Sequence, residues 1–126
     1  MIPKYRAWDK TNKEMYLVDE INFNRGEFES IGDGITFLRE ADEVELMQST
    51  GLFDKNGQEI FEGDVLTSEN YPVKGVVEFR SNLGMWVNCL KDYSYYECLG
   101  NVASNREIIG NVYENPELLE ADNDRD

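Results

Sequence analysis

The sequence predicts a mainly β protein: an N-terminal layer of β-hairpins, then a small C-terminal barrel, then a short terminal helix. Three observations carry that expectation. Apolar residues recur in short runs, several of them alternating with polar residues. Gly, Asn and Asp punctuate the runs at short intervals. The aromatics, seven Tyr, six Phe and two Trp, fall largely within them, where rings suit a pleated, half-buried surface.

In chain order, Tyr5-Arg6-Ala7-Trp8 reads as a strand, Asp9–Lys13 as an Asx-rich turn, and Met15-Tyr16-Leu17-Val18 as the return strand. Ile21 and Phe23 alternate with polar residues, Arg25-Gly26 breaks the pattern, and Phe28 and Ile31 follow. Gly32-Asp33-Gly34 is a second break before the apolar run Ile35-Thr36-Phe37-Leu38. Arg39–Glu45 has no apolar face before Val44 and reads as an exposed acidic connector.

Val44, Leu46 and Gln48 then form a strand entering a turn at Ser49-Thr50-Gly51. Leu52-Phe53 and Gln58–Phe61 flank Asp54-Lys55-Asn56-Gly57, a strong hairpin signal, with Asp opening a type I turn and Gly57 free to take positive φ. Gly63 permits a sharp bend that Asp64 braces through nearby backbone N–H groups. From Val65 to Tyr113 five short strands follow: Val65-Leu66, Lys74–Arg80, Met85–Leu90, Tyr93–Leu99 and Glu107–Tyr113, the last kinked at Gly110. Closing into a barrel protects the edges such strands expose. Asn115 caps a brief helix with Pro116 at its first position and Leu118-Leu119 pinning it down. The implied organisation is an N-terminal β region with its acidic connector over 1–48, a barrel-type domain over 49–120, and a disordered acidic tail over 121–126.

Composition narrows the chemistry. Net charge is −14, from 26 acids and 12 bases. Glu27–Glu45 holds seven acids and one base, and Glu117–Asp126 five acids and one base. A field of this sign repels phosphate backbones and disfavours nucleic acid. Its plain role is solubility; its specific one is a basic protein partner, or mimicry of nucleic-acid charge. There is no histidine, so neither Ser–His nor Cys–His pairs nor an imidazole metal site can form. Gly32-Asp33-Gly34 is too short for a phosphate loop, and Asp122, Asp124 and Asp126 lack the glycine and glutamate that complete a calcium loop. No cofactor, metal or catalytic set is expected. No signal peptide or membrane span is visible, so the expected compartment is the cytosol, where Cys89 and Cys98, facing each other across a hairpin or apart, stay reduced.

Three blocks give the chain a family likeness: Lys4–Asp9 with Met15-Tyr16; Leu46–Val65, the most specific; and Ile109–Leu119. In that order they resemble the YopX family, small proteins encoded largely by bacteriophages and by prophages of Gram-positive bacteria. The resemblance implies a mostly β protein with an SH3-like C-terminal barrel. It carries over no activity, catalytic residue or ligand. Phe53 departs from the family pattern, which usually has a polar or basic residue there, so an exposed aromatic beside the turn is expected.

The leading expectation is therefore a phage or prophage accessory protein, a non-enzymatic binding or assembly module for a host or phage protein, with homo-oligomers conceivable through open sheet edges and no membrane association. Phe53, Tyr93, Tyr95 and Tyr96 are the candidate contact residues, since Tyr offers large area at low entropy cost. Strand alternation puts Tyr93 and Tyr95 on one face and Tyr96 on the other. Trp8 and Trp86 read as core. Gly51, Asp54, Gly57, Gly63, Asp64, Gly110 and Pro116 read as conformational. Two other functions stay open. One is a nucleic-acid-associated protein using Lys74, Arg80, Lys91 and Arg106 as a basic strip. The other is a carboxylate enzyme built on Asp54, Glu62 and Asp64.

Overall fold

The structure, a computed structural model, describes residues 4–18, 20–24, 27–32, 38–69, 73–91 and 95–120. The chain is mainly β and divides into two compact units, Met1–Ser49 and Thr50–Asp126. The expected apolar run at 35–37 and the tail 121–126 lie outside the described residues.

In the first unit β1 (Tyr5–Asp9) pairs antiparallel with β2 (Glu14–Leu17), Ala7 opposite Tyr16. The Lys13 N–H closes the turn on the Asp9 carbonyl at 2.8 Å. On its other side β1 pairs with the first half of β6 (Val44–Phe53), Ala7 opposite Leu46. A second sheet runs β3 (Glu20–Asn24), β4 (Glu27–Gly32) and β5 (Leu38–Glu40), in that order. Alternation turns Ala7, Val44 and Leu46 to one face, where they pack with Ile31, Ile21 and Val18. Trp8 is buried.

The acidic connector expected over Arg39–Glu45 is largely structured. Leu38–Glu40 pairs with β4, Ala41–Glu43 forms one 3-10 turn, and buried Val44 starts β6. Glu40 and Glu43 cap that turn reciprocally, which the charge count hides. The turn expected at Ser49-Thr50-Gly51 is also absent. β6 runs straight through, because the Thr50 hydroxyl donates to the Ile60 carbonyl at 2.8 Å and accepts the Leu52 N–H at 3.0 Å. Only Gly51 departs, at φ +78°.

In the second unit the end of β6 forms a hairpin with β7 (Glu59–Phe61). Then come β8 (Asp64–Thr67), β9 (Gly75–Arg80), β10 (Met85–Leu90), β11 (Tyr95–Cys98) and β12 (Glu107–Asn111). They form one antiparallel sheet in the order β11-β10-β9-β8-β12, curled into a half-barrel. Ile60, Leu66, Val77, Leu99 and Ala103 make its core, with Leu52, Trp86, Val102 and Ile108 against them. Each fully buried aliphatic contributes roughly 1.5–3 kcal/mol.

Tyr93–Leu99 was expected as one strand. The strand stops at Cys98, and Leu99 opens a one-turn helix α1 (Leu99–Val102) that drops Leu99 and Ala103 into the core. At the C-terminus the brief helix expected there is a 3-10 turn, Pro116–Leu119, with Pro116 at its start. The Asn115 side chain does not cap it; its Oδ1 accepts the Asn111 N–H at 3.1 Å, holding the chain as it leaves β12. Gly110 marks a bulge in the β12–β8 pairing. Cys89 lies opposite Tyr96 and Cys98 opposite Val87, so the two thiols do not face each other, and both are free.

Gly75 is required by close approach: a Cβ there would lie 2.2 Å from Oδ1 of Asn88, which is buried. Gly100, on α1, has open space around its Cβ position. Gly75→Ala should therefore lower unfolding free energy in urea by about 1–3 kcal/mol, while Gly100→Ala should leave it unchanged or raise it by up to about 1 kcal/mol. Equal losses would contradict the packing described.

Candidate functional site

Two of the carboxylates proposed for acid–base chemistry, Asp54 and Asp64, sit where their oxygens serve the backbone. Asp54 Oδ1 accepts the Asn56 and Gln58 N–H groups at 2.8 and 2.9 Å, and its Oδ2 accepts the Ile108 N–H at 3.1 Å. The Gly57 N–H closes the turn on the Asp54 carbonyl at 3.0 Å, with Gly57 at φ +82°. This is a type I turn with a left-handed residue after it. Asp64, also buried, accepts the Phe61 N–H on Oδ2 at 2.8 Å. Glu62 is half-buried in the same bend. Asp54 and Asp64 belong to separate turns, and each has an oxygen occupied by main chain.

The contact candidates are distributed differently. β11 is the outer strand of the curled sheet, and Tyr95 and Tyr96 are 64% and 37% exposed on it. Opposite Leu90 and Cys89 respectively, they project from opposite faces. Tyr93 lies outside the described residues. Phe53, 52% exposed, stands at the end of β6 beside the Asp54 turn.

Each face of β11 carries its own polar cluster. Beside Tyr96, the Arg80 guanidinium carbon lies 5.2 Å from the ring centroid, a cation–π contact worth about 0.5–1 kcal/mol at an exposed site. Arg80 Nε donates to Glu78 Oε1 at 2.9 Å and Nη2 to Cys89 Sγ at 3.1 Å. Burial pushes the Cys89 thiol up and Glu78 adds to this, outweighing the Arg80 contact. On the other face, Arg106 forks onto Glu97, Nε to Oε2 at 2.9 Å and Nη2 to Oε1 at 2.7 Å, and Asn88 Nδ2 donates to Oε2 at 3.0 Å. Burial pushes Glu97 up, but the Arg106 and Asn88 bonds together outweigh it and hold the carboxyl below its ordinary range.

The basic strip read from sequence is thereby divided. Arg80 and Arg106 reach opposite faces of the sheet, and each is matched by a glutamate. Lys74 and Lys91 adjoin through backbone, the Lys91 N–H meeting the Lys74 carbonyl at 2.7 Å. Among the described residues no group of three or more His, Cys, Asp or Glu side chains is placed to hold a metal ion, and no helix is long and apolar enough to cross a membrane.

Two features escaped the sequence reading. Phe79 and Leu83, 47% and 41% exposed, flank the β9–β10 turn, with Phe79 edge-on to Trp86 at 5.2 Å and 69°. Alternation along β9 puts Phe79 on the same face as buried Val77, yet Phe79, near the end of the strand, is exposed. The other is Asp9, fully buried, which accepts the Thr11 and Asn12 N–H groups at 2.9 and 3.1 Å and Arg39 Nε at 2.7 Å. The Asn12 N–H and Arg39 lower its pKa against the opposing effect of burial.

These contacts predict two responses. A depressed carboxyl contributes stability that is complete above its unfolded pKa near 3.8 and fades as pH falls through the lower folded value. Asp9→Asn should therefore have a lower urea midpoint than wild type at pH 7, and the gap should narrow steadily below pH 4. A gap independent of pH would contradict the assignment. Asp54→Ala, which removes three acceptor contacts, should cost about 2–4 kcal/mol by urea unfolding. Asp54→Asn, which keeps one acceptor oxygen, should fall between it and wild type.

Comparison with known proteins bears on the fold and the family. The chain matches the YopX protein family over residues 4–120. It is similar in structure to protein EF1440 from Enterococcus faecalis, with a TM-score of 0.69 and 29% identity, covering 95% of this chain and 99% of that one. Protein yopX from Bacillus subtilis shares the fold at a TM-score of 0.61 and 24% identity, over 96% of this chain and 98% of that one. Among curated proteins no significant match is found. The chain belongs to the YopX family.

Proposed function

We propose that the protein is a phage or prophage accessory protein of the bacterial cytoplasm that works by binding another protein, without catalysis of its own. The observation that carries the reading is β11, an outer strand that displays Tyr95 and Tyr96 to solvent, 64% and 37% exposed. An outer strand offers backbone groups for a partner, and tyrosines supply area at low entropy cost. Arg80 stacked on Tyr96 holds that ring in place before contact, which reduces the ordering cost of binding. We take the curled five-stranded sheet as an SH3-type barrel, a fold that serves as a binding platform in many settings; this support is analogy of fold. The carboxylates Asp54 and Asp64 have main-chain work that accounts for their burial.

The test compares the full chain with a Tyr95→Ser/Tyr96→Ser variant in affinity purification from host cells, at several salt concentrations. Wild type should recover a specific protein, depleted by about fivefold or more with the variant at unchanged thermal stability. Equal recovery by both, or no specific protein at any salt, would contradict the proposal.

A further inference from the structure

The two ends of the second unit's sheet are finished differently. At the β12 end, backbone groups are engaged by elements other than β8. The Lys55 N–H donates to the Arg106 carbonyl at 2.9 Å, and Asp54 Oδ2 accepts the Ile108 N–H at 3.1 Å. Asn115 bonds both the Asn111 N–H, at 3.1 Å, and the Asn111 carbonyl, at 2.9 Å. At the other end β11 pairs with β10 alone among the described residues. Among those residues the sheet therefore has one open edge, and an open edge is a template for one more strand. A second copy brings the same edge. Once two copies have paired, neither sheet has an edge left, so growth stops at a closed two-fold dimer.

Charge does not oppose this approach. Residues 74–106 hold four bases and three acids, in a chain of 12 bases and 26 acids. Arg80 is matched by Glu78, and Arg106 by Glu97. Exposed charges more than about 8 Å apart are largely screened at physiological ionic strength, so the balanced surface around β11 counts for more than the net charge of the whole chain.

The sequence of β11 also selects a register. Directly opposed residues share a face and faces alternate along a strand, so a two-fold axis between copies passes through a residue. Centred on Tyr95 or Cys98, the pairing keeps only that residue of β11 opposed within the strand. Centred on Glu97, it sets two carboxylates opposite each other, which is unfavourable. Centred on Tyr96, it sets ring against ring, each with its own Arg80 stacked at 5.2 Å, and puts Tyr95 opposite the second copy's Glu97. We infer that β11 pairs antiparallel with β11 of a second copy, centred on Tyr96. The inference rests on the reading of β11 as the contact strand, and a protein partner competes with the second copy for that edge. So short a strand makes a small contact, well under the size of stable interfaces, and sets a dissociation constant on the order of 100 µM.

Sedimentation equilibrium of the full chain, its thiols kept reduced, tests this between about 10 µM and about 1 mM at physiological salt. Amide exchange of the wild type at both limits locates the contact whether or not a variant folds. The expected result is a monomer–dimer equilibrium, with exchange slowed at 95–98 at the higher concentration and unchanged at 107–111. Tyr96→Lys, which sets two lysines opposite each other, should weaken association about fivefold or more, and Tyr96→Ser by less. A monomer throughout, assembly beyond two copies, a dimer indifferent to Tyr96→Lys, or slowed exchange on 14–17 or 20–24 in place of 95–98 overturns the inference. A monomer that still captures a protein through Tyr95 and Tyr96 overturns the dimer and leaves β11 as the contact strand. A β11 dimer that captures nothing supports the dimer and contradicts the partner.

Discussion

The second unit depends on Arg106. In its five-stranded sheet β8 to β11 form a meander and β12 crosses back to pair with β8, leaving β11 at one end and β12 at the other, and no strand pairing joins those ends among the described residues. Arg106, just before β12, ties it to β11 through its side chain and to the Asp54 turn through its main chain. Its guanidinium forks onto Glu97 of β11, and its carbonyl accepts the Lys55 N–H at 2.9 Å. With side chains 18% and 16% exposed, the pair sits where water competes weakly and a two-bond fork has fixed geometry. Asp54 adds a second tie between β12 and its own turn by taking the Ile108 N–H. Side chains thus hold the curl that a closed barrel would hold by hydrogen-bonded strands.

That arrangement explains why the most specific stretch of the family signature, Leu46–Val65, contains so many turn residues and so little exposed chemistry. Thr50, Asp54 and Asp64 each direct a side-chain oxygen to main chain, and two of them are buried. A closure made by side chains leaves β11 without an outer neighbour in the sheet, and its tyrosines on view. The constraint that shapes the fold and the surface offered for contact are therefore two consequences of one topology.

Local chemistry was legible in the sequence; distant partners were not. The Asp54–Gly57 turn could be read because its bonds to Asn56, Gln58 and Gly57 lie within four residues. Its bond to Ile108, 54 residues away, left no local trace. Arg39 looked like a lone base in an acidic connector, since its partner Asp9 lies 30 residues earlier. Ser49-Thr50-Gly51 has turn composition, yet Thr50 bonding to Ile60 carries the strand through it. The four-residue helix at Leu99 is too short to show a period, and the register separating Cys89 from Cys98 is decided by pairing that spacing alone does not specify. The exposure of the candidate Phe53 was readable from its departure from the family pattern beside the turn; that of Phe79 and Leu83, which were not among the candidates, was not.

A double-mutant cycle on Glu97 and Arg106 tests this account most directly. Glu97→Gln, Arg106→Gln and the double variant would be compared by urea unfolding, with hydrogen exchange of the β11 and β12 amides followed in parallel. The account predicts a coupling energy of about 1–3 kcal/mol and faster exchange at both ends of the sheet in each single variant. Additive effects, with β11 and β12 protected as in wild type, would show that the curl is held by something else.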